Sequence, residues 1–410
     1  MHYKRNVIND VYMITGNDRR LNRFENMFAL PEGVSYNAYM ILDEKTVLFD
    51  GMDGEVRNIY NDAVRELLDG RPLDYFVVHH VEPDHCETIV DVLRDHPETT
   101  VLCSAKALTF LKNFYPDHLV HGVDFDKITQ IIKEGDTINT GRHELMFLNA
   151  TMVHWPEVMV TYDKTDKILF SADAFGSFKA SDGHMFVDQV DFWRDWLDEA
   201  RRYYINIVGR QGKPVMKVLE KASSVPIEVI CPIHGLVWRD PENIGKILEK
   251  YVKWASYEPE AEGTVIVYSS MYGNGAYVAE VLAQMLSDKG VKEIKVHDVA
   301  ETETSIIIAD LFKYSHAIFW AQNYNTMLYP VMDALLREIK MLNWQNRKVG
   351  FVNMGSWGGK SLDEAREILG VGSNNIEELC KEFTITSAIK EEQFADLDAF
   401  AEAIAGNCLL

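Results

Sequence analysis

The spacing of hydrophobic positions changes once along the chain. In VSYNAYMILDEKTVLFDG (34–51) apolar and polar residues alternate around a short polar break, which predicts a β-hairpin. LDYFVVHH (73–80) is a short apolar strand running into polar residues, and HELMFLNATMVHWPEVMVTYDKTDKILFSADAF (143–175) reads as a run of strands. DFWRDWLDEARRYYINIVG (191–209) and NIGKILEKYVKWASY (243–257) carry apolar residues at helical spacing. Strand runs flanked by helices predict an αββα sandwich over residues 1–257.

EPEAEG (258–263) is acidic, lacks large apolar residues and marks a linker. From TVIVYSS (264–270) onward strands and helices alternate: KEIKVHDV, HAIFWAQ, KVGFVNMGS and EFTITSAI are the later strands, with helical segments between and after them. That alternation predicts a doubly wound parallel sheet of five strands over 264–410, in the flavodoxin-like order. The fold class is therefore α/β, in two domains.

Composition narrows the class. The 410 residues are 47% hydrophobic and 25% charged, as in a globular protein, and the formal net charge of −22 argues against nucleic-acid binding. The N-terminal MHYKRNVINDVYMITG lacks the apolar stretch of a signal peptide, and no later segment reaches membrane-spanning length. Five cysteines (Cys86, Cys103, Cys231, Cys380, Cys408) are scattered without a CxxC pair, which excludes a rubredoxin-type or zinc-ribbon module and fits a reducing cytoplasm.

Candidate chemistry begins at HHVEPDH (79–85). Strand alternation turns His79 away from His80, so His79 is assigned to a solvated loop. His80, Glu82, Asp84 and His85 gain weight because further donors recur where strands end: His154 in MVHWPEVM, Asp173 in LFSADAFG and His234 in VICPIHG. Four imidazoles and three carboxylates are too many for one tetrahedral zinc. They suit two ions of higher coordination number that share a bridging carboxylate and leave positions open for a substrate.

The ordered set HxExDH, HWPE, SADAF and PIHG, followed by a flavodoxin-like domain, resembles the flavodiiron proteins, whose first domain is similar to a metallo-β-lactamase. The resemblance covers essentially the whole chain. It implies that His80, Glu82 and His154 bind one iron, that Asp84, His85 and His234 bind the other, and that Asp173 bridges them. Zinc hydrolases of that fold usually read HxHxDH. Glu82 at the second histidine position hardens the site and favours iron.

Three loops of the second domain fit FMN. SSMYGNG, with Ser269, Ser270, Met271, Tyr272, Gly273, Asn274 and Gly275, joins a strand to a helix whose N-terminus can hold a monophosphate. AQNYNTM, with Gln322, Asn323, Tyr324 and Asn325, and MGSWGGK, with Gly355, Ser356, Trp357, Gly358 and Gly359, follow the third and fourth strands, where a flavin ring would lie. Tyr324 and Trp357 are the stacking candidates. Gly275 stands where relatives commonly have threonine, which removes one expected hydroxyl contact. The absence of GxGxxG favours a mononucleotide.

The resemblance implies a cytoplasmic oxidoreductase that reduces O2 to water and/or NO to N2O. Two ferrous ions and one reduced FMN hold the four electrons that O2 needs, and two electrons suffice for a pair of NO molecules. With no rubredoxin or flavin-reductase domain fused, the donor is expected to be external: a rubredoxin, another redox protein or a reduced deazaflavin. A head-to-tail homodimer, or a tetramer of such dimers, is expected. Tyr203 and Tyr204 are candidates to donate a hydrogen bond or proton near the metals. Two alternatives stay open at this level: a zinc-dependent hydrolase of the metallo-β-lactamase fold, and a flavin electron carrier with a structural metal domain.

Overall fold

The computed structural model describes residues 3–120 and 122–408. The chain divides into two compact units, one comprising Met1–Tyr204 with Lys213–Glu249, the other Ile205–Gly212 with Lys250–Leu410.

Two sheets build the first unit. One runs in the order Lys4–Ile8, Val11–Asp18, Val34–Leu42, Thr46–Phe49, Tyr75–Val77, Thr100–Cys103 and Thr129–Ile131; the other in the order Thr137–Asn139, Glu144–Asn149, Met159–Asp163, Ile168–Phe170 and Val229–Cys231. The expected hairpin forms in register Tyr39↔Phe49. Alternate residues of both sheets meet in one core: Tyr39, Ile41, Phe49 and Val77 from the first, Leu145, Phe147, Ile168 and Phe170 from the second. Phe49 and Phe170 stack with ring centroids 4.1 Å apart. Truncating either to alanine would cost about 3–5 kcal/mol.

This layering sets where polar residues collect. Ile168–Phe170 and Val229–Cys231 pair in parallel, so the segments leaving them, with Asp173 and His234, emerge at the same end. Tyr75–Val77, which leads into the 79–85 cluster, likewise pairs in parallel with Thr46–Phe49. A bond from Met159 N–H to the His79 carbonyl (3.1 Å) joins the two sheets beside that cluster.

The helix expected over 191–209 is broken. Phe192–Asp195 and Leu197–Tyr203 are separate helical pieces, followed by a π-helical turn at Tyr204–Val208 and a 3-10 turn at Gly209–Gln211. Trp196 leaves helical backbone values (φ −126°, ψ −24°) between the pieces. A regular amphipathic helix needs a polar face, and here Tyr203, Tyr204, Ile205 and Val208 are all buried.

In the second unit the sheet order is Ile294–Asp298, Ala261–Tyr268, Tyr314–Tyr324, Arg347–Gly355, with a split edge beyond. The edge is two short strands, Ile376–Glu378 and Phe383–Thr386, each parallel to Arg347–Gly355. This is the flavodoxin-like order 2-1-3-4-5 with an interrupted fifth strand. Ala261–Tyr268 begins inside the stretch expected to be linker. Among the described residues no helix is long and apolar enough to cross a membrane.

Candidate functional site

Glu82 precedes a one-turn helix, Pro83–Cys86, with proline at its first position, where a missing N–H costs nothing. The turn buries Asp84 and His85 in succession. It is docked by Gly51, whose N–H bonds the His85 carbonyl at 2.6 Å. A Cβ on Gly51 would lie 2.8 Å from Thr88 Oγ1 and 2.9 Å from that carbonyl oxygen, so the approach requires glycine.

The seven polar residues singled out in the sequence converge into two groups around one carboxylate. Glu82 Oε2 lies 3.1 Å from both His80 Nε2 and His154 Nε2. Asp84 Oδ2 lies 3.1 Å from His85 Nε2 and 3.3 Å from His234 Nε2. Asp173 reaches both: its Oδ2 faces His80 (3.5 Å) and His154 (3.7 Å), its Oδ1 faces His85 (3.6 Å) and His234 (3.8 Å).

These contacts do not make a sensible hydrogen-bond network. His85 Nε2 and His234 Nε2 point at each other across 2.9 Å. Both oxygens of Asp84 and Oδ2 of Asp173 are buried without a hydrogen-bond partner. Leaving buried carboxylate oxygens unpaired is costly. Donors about 2.1 Å from a first-row metal ion stand about 3–3.5 Å from one another, so each group has the spacing of a ligand set.

Outer groups fix the ring orientations. His80 Nδ1 bonds Glu157 Oε1 (2.7 Å), which also accepts from Val81 N–H (3.1 Å). His234 Nδ1 bonds the Ser35 carbonyl at 2.8 Å. Tyr203 donates its hydroxyl to Asp173 Oδ1 at 2.7 Å. His79 takes no part, yet it is not in a solvated loop as expected: it is buried, stacks on Phe49 and bonds Asp50 and Thr161, which satisfies both ring nitrogens inside the core.

The electrostatics are those of a cation site. Burial alone would push the carboxyls up, and for Glu82 so does Asp84, but the facing imidazoles override this and hold Glu82, Asp84 and Asp173 well below the usual range. Burial would lower His80 and His85; the carboxylates reverse it, raising His80 and pushing His85 up to about 10. Nearby, Glu25 sits at the tip of the short hairpin Arg23–Phe24/Phe28–Ala29. The residue as a whole is exposed, but desolvation of its carboxyl and the neighbouring Glu82, Asp84 and Asp173 push it up to about 8.

The second unit holds a cleft at the carboxyl edge of its sheet. It is lined by Met271, Tyr272, Asn274 and Gly275 of the first loop, Gln322, Asn323, Tyr324 and Asn325 of the second, Met354, Gly355, Ser356 and Trp357 of the third, and Ser387. Helix Asn274–Asp288 starts at Gly273 (φ 90°) with no side-chain cap, which leaves its first N–H groups for an anion. The hydroxyls of Ser269 and Ser270 are buried without partners beside it. Asn323 Nδ2 donates to the Trp357 carbonyl at 2.8 Å and ties the second loop to the third. These features suit a phosphate with an attached planar ring.

Residues 34–235 match the family model of the ODP family beta lactamase. The chain is 30% identical over 337 residues to the anaerobic nitric oxide reductase flavorubredoxin of Klebsiella pneumoniae, covering 81% of this chain and 67% of that one. It overlays the rubredoxin:oxygen oxidoreductase of Desulfovibrio gigas with TM-score 0.89 and 25% identity, over 99% of this chain and 98% of that one. A mutant of the flavo di-iron protein from Thermotoga maritima shares the fold at TM-score 0.88, 24% identity and the same coverage. The chain belongs to the flavodiiron proteins.

Within this flavodiiron chain the structure adds residues that spacing alone did not flag. Glu157 was visible in HWPE but not assigned. Glu25 lies in a hairpin too short for any periodic pattern. Met354 and Ser387 join the cleft, Ser387 through a 2.9 Å bond to Ser356 Oγ. Of the two tyrosine candidates, Tyr203 is the one on Asp173. Ser269, Ser270 and Gly273 shape the first loop behind the cleft lining, and Gly358 and Gly359 line an adjoining groove.

Proposed function

We propose that this chain reduces O2 to water and/or NO to N2O at a di-iron centre, with electrons delivered through FMN from an external donor. The observation that carries the reading is the two-sided placement of Asp173, with one oxygen toward each histidine pair. His80, Glu82 and His154 would hold one iron, Asp84, His85 and His234 the other, and Asp173 would bridge them. When bound, the irons and the flavin supply one-electron and two-electron transfer and open positions for a diatomic substrate.

The chain's own residues supply the rest. Glu157 and the Ser35 carbonyl hold His80 and His234 in the tautomer that leaves Nε2 free. Tyr203 steadies Asp173 and keeps a hydroxyl proton beside the bridge. Glu25, close to Glu82 at the tip of the exposed hairpin, is placed to pass protons toward the site. Phe24 and Tyr36 pack on the His234 ring at 5.5 Å each and restrict water there.

The first loop and the start of helix Asn274–Asp288 would take the FMN phosphate, with Tyr324 and Trp357 beside the ring. The donor is a separate protein or small carrier: a rubredoxin, another redox protein or a reduced deazaflavin. A reducing, cytoplasmic setting agrees with five free cysteines. A head-to-tail dimer, alone or paired into a tetramer, is the active assembly.

The test combines iron and flavin analysis with anaerobic reduction, followed by parallel O2 and NO consumption. Two irons and one FMN per chain with rapid consumption of at least one gas is expected. Zinc without flavin would point to a hydrolase, and flavin without metal to an electron carrier.

A further inference from the structure

Resting on the di-iron reading, we infer that Glu157 and Tyr203 make the two metal positions electronically unequal. The position of His80, Glu82 and His154 is the electron-rich one and stays ferric when the oxidised pair takes its first electron.

Ligand type does not separate the two positions. Each has two imidazoles, one carboxylate of its own and one oxygen of Asp173. The difference lies in what stands behind those ligands. Glu157 is buried, its Oε1 accepts from His80 Nδ1 at 2.7 Å, and its Oε2 has no partner to share the charge. A carboxylate on the far nitrogen of an imidazole raises the basicity of the coordinating nitrogen. The other position has no equivalent. His234 is backed by the neutral Ser35 carbonyl at 2.8 Å, and His85 Nδ1 has no hydrogen-bond partner.

Asp173 is polarised in the same sense. Its Oδ1, facing His85 and His234, accepts the Tyr203 hydroxyl at 2.7 Å, whereas its Oδ2, facing His80 and His154, accepts no hydrogen bond. A donor on one carboxylate oxygen withdraws electron density from the metal which that oxygen faces. Glu25 beside Glu82 acts the other way, but from a residue that is exposed as a whole, whereas Glu157 is buried against the ligand it backs. Two differences therefore favour ferric iron at the His80 position.

The redox balance is two one-electron steps, with dithionite as reductant. The first electron converts the ferric ion at the Asp84, His85 and His234 position to ferrous. The second reduces the ion at the His80 position, at a lower potential. Glu157 is a positioning residue here, acting through His80.

The experiment is an anaerobic potentiometric titration of the full-length protein, read by the iron EPR signal of the half-reduced pair and by Mössbauer spectroscopy. Iron and FMN contents are measured first. Glu157→Gln keeps the shape and an acceptor for His80 but removes the charge, and should raise the second couple while leaving the first in place. Tyr203→Phe frees Asp173 Oδ1 and should lower the first couple. Each narrows the half-reduced window and should reduce its maximal signal at least twofold; Glu157→Asp should restore most of it. The inference is overturned if Glu157→Gln moves the first couple or neither, or if Tyr203→Phe leaves the first couple where it was. If Glu157→Gln loses iron, Tyr203→Phe alone decides. A wild-type chain lacking two irons overturns the di-iron reading itself, before any potential is read.

Discussion

Gly275 lies against Ser269 so closely that a Cβ on it would stand 2.4 Å from the Ser269 carbonyl oxygen. A side chain at this position is thus excluded by the loop's own backbone. The loop enters helix Asn274–Asp288 through Gly273 at φ 90°. Gly275→Thr should therefore weaken FMN binding, by about tenfold in Kd or about 1.4 kcal/mol, with iron content unchanged. Fluorescence titration of the flavin-free protein measures it, and tighter binding in the variant would show that the loop yields.

Asp173 is the residue that both metal positions share. Asp173→Ala leaves four imidazoles and two carboxylates but no group reaching both ions. Iron should fall below about half of the wild-type content and gas consumption by at least a hundredfold, with FMN retained. Near-stoichiometric iron together with intact turnover would sink the assignment of Asp173 as the bridge.

Much of this was legible in the sequence for a physical reason. Donors at strand ends must be crowded together by a sandwich whose strands run apolar up to those points, so His80, Asp173 and His234 announced themselves through Val77, Phe170 and Cys231, and His154 through its place between the strands Glu144–Asn149 and Met159–Asp163. Groups that act through backbone geometry left no such trace. Glu25 depends on a turn with positive φ at Glu25 and Asn26 (47° and 56°), in a hairpin of two-residue strands. The interruption of the fifth strand was hidden because Ile376–Glu378 and Phe383–Thr386 pair with one strand at separate places. The same holds for Arg347, which stands just before the stretch KVGFVNMGS read as a strand. Its buried guanidinium donates to the carbonyls of Tyr257 (2.7 Å), Gln345 (2.9 Å) and Leu311 (3.2 Å), which fastens residues before the strand to the sheet it begins.

His316 gives the second unit a pH dependence. It is buried, its Nδ1 bonds Ser315 Oγ at 2.8 Å, and Nε2 has no partner. Burial, then the charge of Lys348, push it down to about 4, with Glu262 opposing. A histidine lowered on folding contributes stability that is fully present above its unfolded pKa of 6.5 and is lost as pH falls toward 4. Up to about 3 kcal/mol is at stake over that window. Urea unfolding of the FMN-loaded chain, followed by flavin release at pH 7 and pH 5, should show a midpoint drop that His316→Asn reduces. An equal drop in both proteins would assign the acid sensitivity elsewhere.

Assembly follows from how electrons must travel. Transfer weakens steeply with distance, and the candidate metal and flavin sites belong to separate compact units of the chain. A two-fold, self-complementary pairing can bring the flavin of one chain to the irons of another. The test mixes two inactive variants, His85→Ala without a complete di-iron site and Asn274→Glu with a negative charge where the phosphate should sit. A mixed dimer then pairs an intact flavin site with an intact iron site across the interface, and activity should return to roughly a quarter of wild type from statistical pairing. Exchange is verified by mass-tagged heterodimers. If they form and no activity returns, electrons pass within one chain and the head-to-tail arrangement fails.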